Sequence, residues 1–371
     1  MLDSYGTQNI GGVEKEFAKD TLTHPQVQWL KADLAATTKK WKIVYMHYPT
    51  YSKGSHDSDG KTAPSYLGAR DEWITKATRK NINPILERFG VDLVITGHSH
   101  GYERSYPIHD QYDTLAHSNT ININNHRFPG DESTGRYDGS TGSCAYKNTS
   151  EKKKQGTIYV VSGSAGAFEI SKLGPHPVMV TDTSLRSKGG SFYMEVEDNR
   201  LDAKFLQAST RTLNPPGSTL VTDQFTIMKD VDIVQTLTIT AGQSTTLTAS
   251  FISDYVWSSP GNLSFTAPAS RTVVVSPTVS QTFVVKDVKQ CITDVFVVQV
   301  SCSGPLYSVK AGNWNDPTVW SCNRIPLSTD HVQVKHNILV PNNLQARALK
   351  VQFDPNTKLT YGTNARLLLN Q

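Results

Sequence analysis

The sequence predicts an α/β unit followed by β-only modules, and three observations carry that reading. Residues 1–110 mix helical periodicity with short apolar runs of strand type. Two of those runs end in histidines: residues 41–46 lead into His47, and residues 91–96 lead into Gly97-His98-Ser99-His100-Gly101. After Lys229 charge becomes scarce. Between Val231 and Ser303 only seven residues are charged, and Ser, Thr and Val dominate in short alternating runs.

Taken in order, Pro25 suits a helix start, because the first turn leaves its N–H positions unbonded in any case; Val27, Leu30 and Leu34 then form a buried stripe. Residues 41–46 read as a buried strand. Pro49 cannot continue a ladder, so the chain turns there and His47 is left at the strand exit. His56 follows in the polar stretch 52–60. Residues 69–89 read as helical with an interruption at Pro84, feeding the strand at Val91. Residues 109–156 are polar and rich in Asn, Gly and Ser, either a rim loop that sets specificity or a flexible excursion.

Residues 157–229 alternate short strands with turn signals, among them 191–196 and 201–205. Asn214-Pro215-Pro216-Gly217-Ser218 interrupts the pattern before a last strand at 224–228. Runs such as 236–240 and 272–275, with turn signals roughly eight to twelve residues apart, point to a β-sandwich with Trp257 in its core. From Tyr307 the character changes again. Trp314 and Trp320, near turns, either form a carbohydrate platform or pack at the start of a β-solenoid or sandwich.

A chain of 371 residues is long enough for two or three domains. A net charge of +4 is too small to argue for nucleic acid, and Glu151-Lys152-Lys153-Lys154 reads as a solvated loop face. No apolar run approaches the ~18 residues of a membrane-spanning helix. The first residues lack the basic-then-apolar pattern of a signal peptide. The cysteines are Cys144, Cys291, Cys302 and Cys322, with no C-x-x-C pair, which argues against structural zinc. Cys291 and Cys302 flank one strand-like run, and spacing alone leaves a disulfide between them open.

The chemistry concentrates at the two strand exits. Histidines at i and i+2 just past a buried strand leave the sheet side by side, a spacing that suits a pair of metal ions. A bare H-x-H is commonly just a pair of loop histidines. Here Gly97 and Gly101 bracket it for a tight turn, and ligands gather at the carboxyl ends of strands in an open α/β sheet.

These segments together resemble the calcineurin-like metallophosphoesterase superfamily, and within it the purple acid phosphatase branch. The resemblance is carried by Gln28-Trp29-Leu30-Lys31-Ala32-Asp33-Leu34, by Met46-His47-Tyr48-Pro49 with His56, and by Gly90-Val91-Asp92 running into residues 97–105. Gly156–Gly163 and Asp223–Ile227 resemble that family's late strands. The string G-H-x-H-x-Y-E-R is its most specific element. The resemblance implies that His47 and His98 ligate a divalent metal and that His100 ligates the other metal, ferric iron in the purple enzymes. His56 matches a histidine that contacts the substrate phosphate and helps protonate the leaving group. Tyr102, Glu103 and Arg104 are expected to be supporting residues, Arg104 either pairing with phosphate or making a structural salt bridge.

The family's D-x-H or D-x-G, G-D-x-x-Y and G-N-H-E motifs do not occur in residues 1–46. The implied dinuclear centre, iron with zinc, manganese or iron, is therefore expected to be incomplete, lacking its bridging carboxylate. The fold implied is a partial αββα metallophosphoesterase sandwich over residues 1–229, with its N-terminal half missing. An Ig-like or PKD-like β-sandwich over 230–304 follows, then a β-rich surface-type module over 305–371 that runs out at Leu367-Leu368-Leu369 without a polar cap. Half such a sandwich is expected to expose one apolar sheet face. The activity implied is hydrolysis of phosphate esters, monoesters first, in a secreted or cell-surface protein; the chain alone is expected to be a poor catalyst. Two other readings stay open: a related phosphodiesterase or nucleotidase, and a non-catalytic surface protein whose β modules contact glycan or a cell wall.

Overall fold

A computed structural model describes the chain apart from residues 1, 5, 61–67, 114–121, 128–131, 168–172, 182, 209–219, 241–242, 260–268, 302–303 and 370–371. The chain divides into two compact units, Met1–Asp230 and Val231–Gln371.

The first unit opens with a hairpin of β1 (Thr7–Ile10) and β2 (Val13–Glu16), followed by α1 (Pro25–Ala36) and β3 (Ile43–Tyr45). The helix begins where Pro25 predicts, capped by the His24 imidazole accepting from the Gln26 N–H at 3.2 Å, and Val27, Leu30 and Leu34 are all buried. Next come α2 (Gly68–Asn81) and α3 (Asn83–Arg88), separated at Ile82 because Pro84 sits in the first turn of α3. Then follow β4 (Leu93–Thr96), β5 (Tyr102–Arg104), β6 (Tyr146–Asn148), β7 (Ile158–Ser162), β8 (Gly190–Glu197), β9 (Arg200–Gln207) and β10 (Leu220–Lys229).

Two four-stranded sheets result, with orders β3-β4-β7-β5 and β6-β10-β9-β8. In the first, β3, β4 and β7 are parallel, so their carboxyl ends open on one edge, where His47 and the His98 turn emerge. One face of that sheet packs Val44, Val94 and Tyr159 on Val27, Leu30 and Leu86 of the helices. Its other face packs Leu93, Ile158 and Val160 against Leu201, Phe205, Phe225 and Ile227 of the second sheet. The expected naked apolar face is therefore not seen: β8–β10 supply a second sheet whose inward positions are mostly apolar, with Asp223 and Lys229 as buried charged exceptions. Its outward positions carry Glu195, Asp202 and Lys204, with Tyr193 as an exposed aromatic.

A buried ion pair joins the sheets. Lys229 Nζ lies 2.7 Å from Asp92 Oδ1, both side chains fully buried, and donates to Lys40 O at 2.6 Å. The polar stretch 109–156 also differs from the expectation of a loop. Its β6 pairs parallel with β10, and Tyr146 is buried between the sheets.

The second unit starts with β11 (Val234–Thr240), β12 (Thr245–Thr248), β13 (Val256–Ser258), β14 (Thr272–Val275), β15 (Gln281–Lys286) and β16 (Thr293–Ser301). These form a sheet of order β11-β16-β15-β13 and a pair β12-β14. Trp257 is buried, 5.7 Å from the Phe296 ring, and its indole donates to Ser270 O at 2.8 Å.

The chain continues through β17 (Leu306–Tyr307), β18 (Gly312–Asn313), β19 (His331–Val334), β20 (Ile338–Val340), β21 (Gln345–Ala348), β22 (Lys350–Phe353), β23 (Leu359–Tyr361) and β24 (Arg366–Leu369). All of their pairings are parallel, in three ladders: β17-β19-β22, β18-β20-β23 and β21-β24. This is a short parallel β-solenoid with a repeat of roughly 20 residues. Trp314 and Trp320 are each 1 % exposed, with ring centroids 4.9 Å apart and the Trp320 indole donating to Trp314 O at 2.7 Å. They are core residues of the solenoid, so the carbohydrate platform is set aside.

Cys144, Cys291 and Cys322 are disulfide-bonded. Cys302, and with it the Cys291–Cys302 pairing, lies outside the described residues, as does the break at 214–218. Among the described residues no helix is long and apolar enough to cross a membrane.

Candidate metal centre

Strand β3 ends at Tyr45 and β4 at Thr96, and the next residues of each are held together: the Gly97 N–H donates to His47 O at 3.0 Å. His98 then takes φ = +59°, the left-handed region that non-glycine residues seldom adopt. His47 Nε2 and His98 Nδ1 stand 3.1 Å apart, with ring centroids at 5.0 Å and planes at 71°. Tyr48 packs on His98 at 4.4 Å. The His56 ring lies 3.9 Å from the His98 ring, tilted by 35°.

His47, His98 and His56 are thus brought together, although 51 residues separate the first two. His47 is exposed and the other two are half-buried, so the cluster opens to solvent. His100 is fixed through its backbone, its N–H donating to Ser55 Oγ at 3.0 Å. Gly101 is required at its place: a Cβ there would lie 2.6 Å from Arg186 O.

Two imidazole nitrogens on one tetrahedral zinc, each at ~2.0–2.1 Å, stand roughly 3.3 Å apart, so the His47–His98 pair fits two places of such an ion. Among the described residues no group of three or more His, Cys, Asp or Glu side chains is arranged to hold a metal. The pair fits part of a ligand set, and His100 does not join it in such a group.

The loop carrying His56 is held by polar contacts. The Ser52 hydroxyl lies 2.6 Å from Glu103 Oε2 and 2.9 Å from Ser99 Oγ. The Lys53 N–H donates to Glu103 Oε1 at 3.1 Å, and the His56 N–H points to Ser99 Oγ at 3.4 Å. Glu103 is 2 % exposed. Burial pushes its carboxyl up from the ordinary carboxylate value, against the opposing effects of Ser52, the Lys53 N–H and Arg186.

Just beyond, Lys53 Nζ pairs with Asp57 at 2.5 Å and Asp59 at 3.2 Å, while Asp59 also meets Arg79 at 2.7 Å and His176 Nε2 at 3.0 Å. Burial alone would raise the Asp59 carboxyl, but contacts with His176, Arg79 and Lys53 hold it well below the ordinary range. His176 Nδ1 accepts from the Val178 N–H at 3.3 Å, which leaves Nε2 to carry the proton that faces Asp59.

Tyr102 and Arg104 point to the other side of β5. The Tyr102 hydroxyl donates to Asp223 Oδ2 at 2.9 Å. Arg104 grips the same carboxylate through Nε at 2.7 Å and Nη2 at 3.0 Å, with Nη1 on Tyr146 Oη at 3.0 Å and Thr134 O at 3.1 Å. The guanidinium is therefore occupied by a structural salt bridge between the sheets. Sequence reasoning missed Ser52, Ser99, Asp59, His176 and Asp223 as partners; Asp223 opens the segment 223–227, where nothing local marks its role.

Comparison with known proteins finds relatives over part of the chain. Residues 3–102 match the family model of the calcineurin-like phosphoesterases. Acid phosphatase type 7 of Danio rerio is 33 % identical over 104 residues, 26 % of this chain and 23 % of that protein. Purple acid phosphatase 18 of Arabidopsis thaliana is 37 % identical over 84 residues, 22 % of this chain and 16 % of that protein. A purple acid phosphatase from yellow lupin (Lupinus luteus) seeds superposes with a TM-score of 0.37 and 19 % identity, covering 57 % of this chain and 29 % of that one.

Residues 3–102 are thus a calcineurin-like metallophosphoesterase segment. More particularly, it is of the purple acid phosphatase-like branch. The chain covers only 23 % and 16 % of the length of these two relatives.

Proposed function

We propose that this chain contributes the histidine side of a dinuclear phosphate-ester hydrolase of the purple acid phosphatase type, acting on monoesters. The observation that carries the reading is the 3.1 Å approach of His47 Nε2 to His98 Nδ1 at adjacent parallel strand ends, with His56 lying against His98. In this reading His47 and His98 hold the divalent ion and His100 belongs to the ferric site. The metal pair, iron with zinc, manganese or iron, supplies Lewis acidity toward the phosphate when bound. His56 contacts a phosphoryl oxygen and gives a proton to the departing alkoxide. Glu103 holds the backbone of the His56 loop, and Tyr102 and Arg104 hold the two sheets together.

The match to residues 3–102 and the late strands support residues 1–229 as the catalytic portion. Residues 230–304 would be an Ig-like or PKD-like sandwich and 305–371 a β-rich surface-type module, in a secreted or cell-surface protein. Lacking a bridging carboxylate, the chain by itself would hold one ion weakly and turn over little substrate.

Titration with cobalt(II), followed by its visible absorption, tests the assignment. His47→Ala and His98→Ala should each abolish the bound-ion signal, and any metal-dependent hydrolysis should favour p-nitrophenyl phosphate over its bis-ester. Unchanged cobalt affinity in both variants would refute the metal site. A preference for the bis-ester would turn the reading toward a phosphodiesterase.

A further inference from the structure

We infer that Glu103 is a positioning residue for His56, acting through Ser52 and Lys53. The inference rests on the reading of His56 as the phosphate-facing group. Along β5, Tyr102 and Arg104 face the inter-sheet core and bind Asp223, so strand alternation turns Glu103 the opposite way, toward residues 52–54. There its carboxylate is buried and takes the Ser52 hydroxyl at 2.6 Å and the Lys53 N–H at 3.1 Å, while Arg186 Nε stands at 3.6 Å. A carboxylate withdrawn from water persists only where such donors satisfy it.

The segment it grips, Ser52-Lys53-Gly54-Ser55-His56, contains no aliphatic side chain, so hydrophobic packing does not set its path. Hydrogen bonds do. The second anchor is Ser99, between the two motif histidines: its hydroxyl meets Ser52 Oγ at 2.9 Å and the His56 N–H at 3.4 Å. Gly54 lets the two loops close on each other, since a Cβ there would lie 2.2 Å from Ser99 Oγ and 3.5 Å from Glu103 Oε2. Glu103 thus links the G-H-x-H-x-Y-E-R string to a histidine 47 positions upstream, and beside that link the His56 ring lies 3.9 Å from the His98 ring.

The test uses the full chain with labelled histidines. Ring-to-ring nuclear Overhauser contacts report His56–His98 and, as an internal control, His47–His98; inorganic phosphate is titrated onto the cobalt-loaded protein. Glu103→Ala should erase the His56–His98 contact, keep the His47–His98 contact, and weaken phosphate about tenfold. Glu103→Gln, which retains an acceptor oxygen, should restore the ring contact and bring phosphate affinity back to within about threefold. A persisting His56–His98 contact in Glu103→Ala overturns the inference. Should that variant fail to fold, Ser52→Ala, which removes the hydroxyl through which Glu103 acts while leaving the carboxylate in place, must weaken the same contact; an unchanged contact there also overturns the inference. The underlying reading fails separately: His56→Ala with unchanged phosphate affinity would remove the role of His56 while leaving the latch intact.

Discussion

Arg104 lies in the most diagnostic string of the chain, six residues past the first motif histidine, and its replacement separates a ligand role from an architectural one. Arg104→Met removes a buried guanidinium that holds Asp223 by two bonds, reaches Tyr146 and Thr134, and lies 4.9 Å from the Phe225 ring centroid. Asp223, 2 % exposed, would keep only the Tyr102 hydroxyl at 2.9 Å and Arg136 Nη1 at 3.4 Å among these partners. Removing one member of a buried pair costs about 3–5 kcal/mol, and the surviving contacts favour the lower end. With about 2–4 °C per kcal/mol for a unit of this size, the transition of Met1–Asp230 should fall by about 6–12 °C. Calorimetry of the full chain measures this, with phosphate titrated onto the cobalt-loaded variant well below its transition. Affinity should change less than about twofold. An unchanged transition together with a tenfold loss of phosphate affinity would refute the reasoning and return the guanidinium to the ligand.

Asp59→Asn should lower stability at pH 7, and the gap to the parent should narrow on acidification. The folded carboxyl titrates below its unfolded value of about 3.9, so its contribution is complete above that pH and fades as pH falls. Urea unfolding at pH 7 and pH 3 with equal gaps would contradict this. Trp320→Ala should destabilise Val231–Gln371 by about 3–5 kcal/mol, since a fully packed indole and its bond to Trp314 O are lost. Denaturant titration followed by fluorescence measures it, and a loss under about 1 kcal/mol would show that the stack tolerates the hole.

What was legible in the sequence was local. Pro25 with Val27, Leu30 and Leu34 marked α1, Pro84 marked the break between helices, and the apolar runs before His47 and His98 marked two strand exits. The approach of His47, His98 and His56 followed from the resemblance more than from any spacing. What stayed hidden was long-range. Tyr146 becomes a strand residue only because β10, some eighty positions later, lies beside it. Glu103 and Ser52 are 51 residues apart, and Arg104 and Asp223 are 119 apart. No window of ordinary length contains both partners. The solenoid escaped a firm reading because it has few turns, too few for its period to stand out above ordinary strand alternation.

The place of β10 also has a kinetic consequence. It is the last strand of the first unit to be made, yet it lies between β6 and β9, and its final residue neutralises Asp92 in the neighbouring sheet. During synthesis the earlier strands must wait, with Asp92 lacking that lysine and one edge of β9 unpaired, until residue 229 has left the ribosome. Such dependence on distant pairing slows assembly and widens the interval in which nascent chains stick to one another. Chaperone demand from the first unit should therefore fall once that strand has emerged.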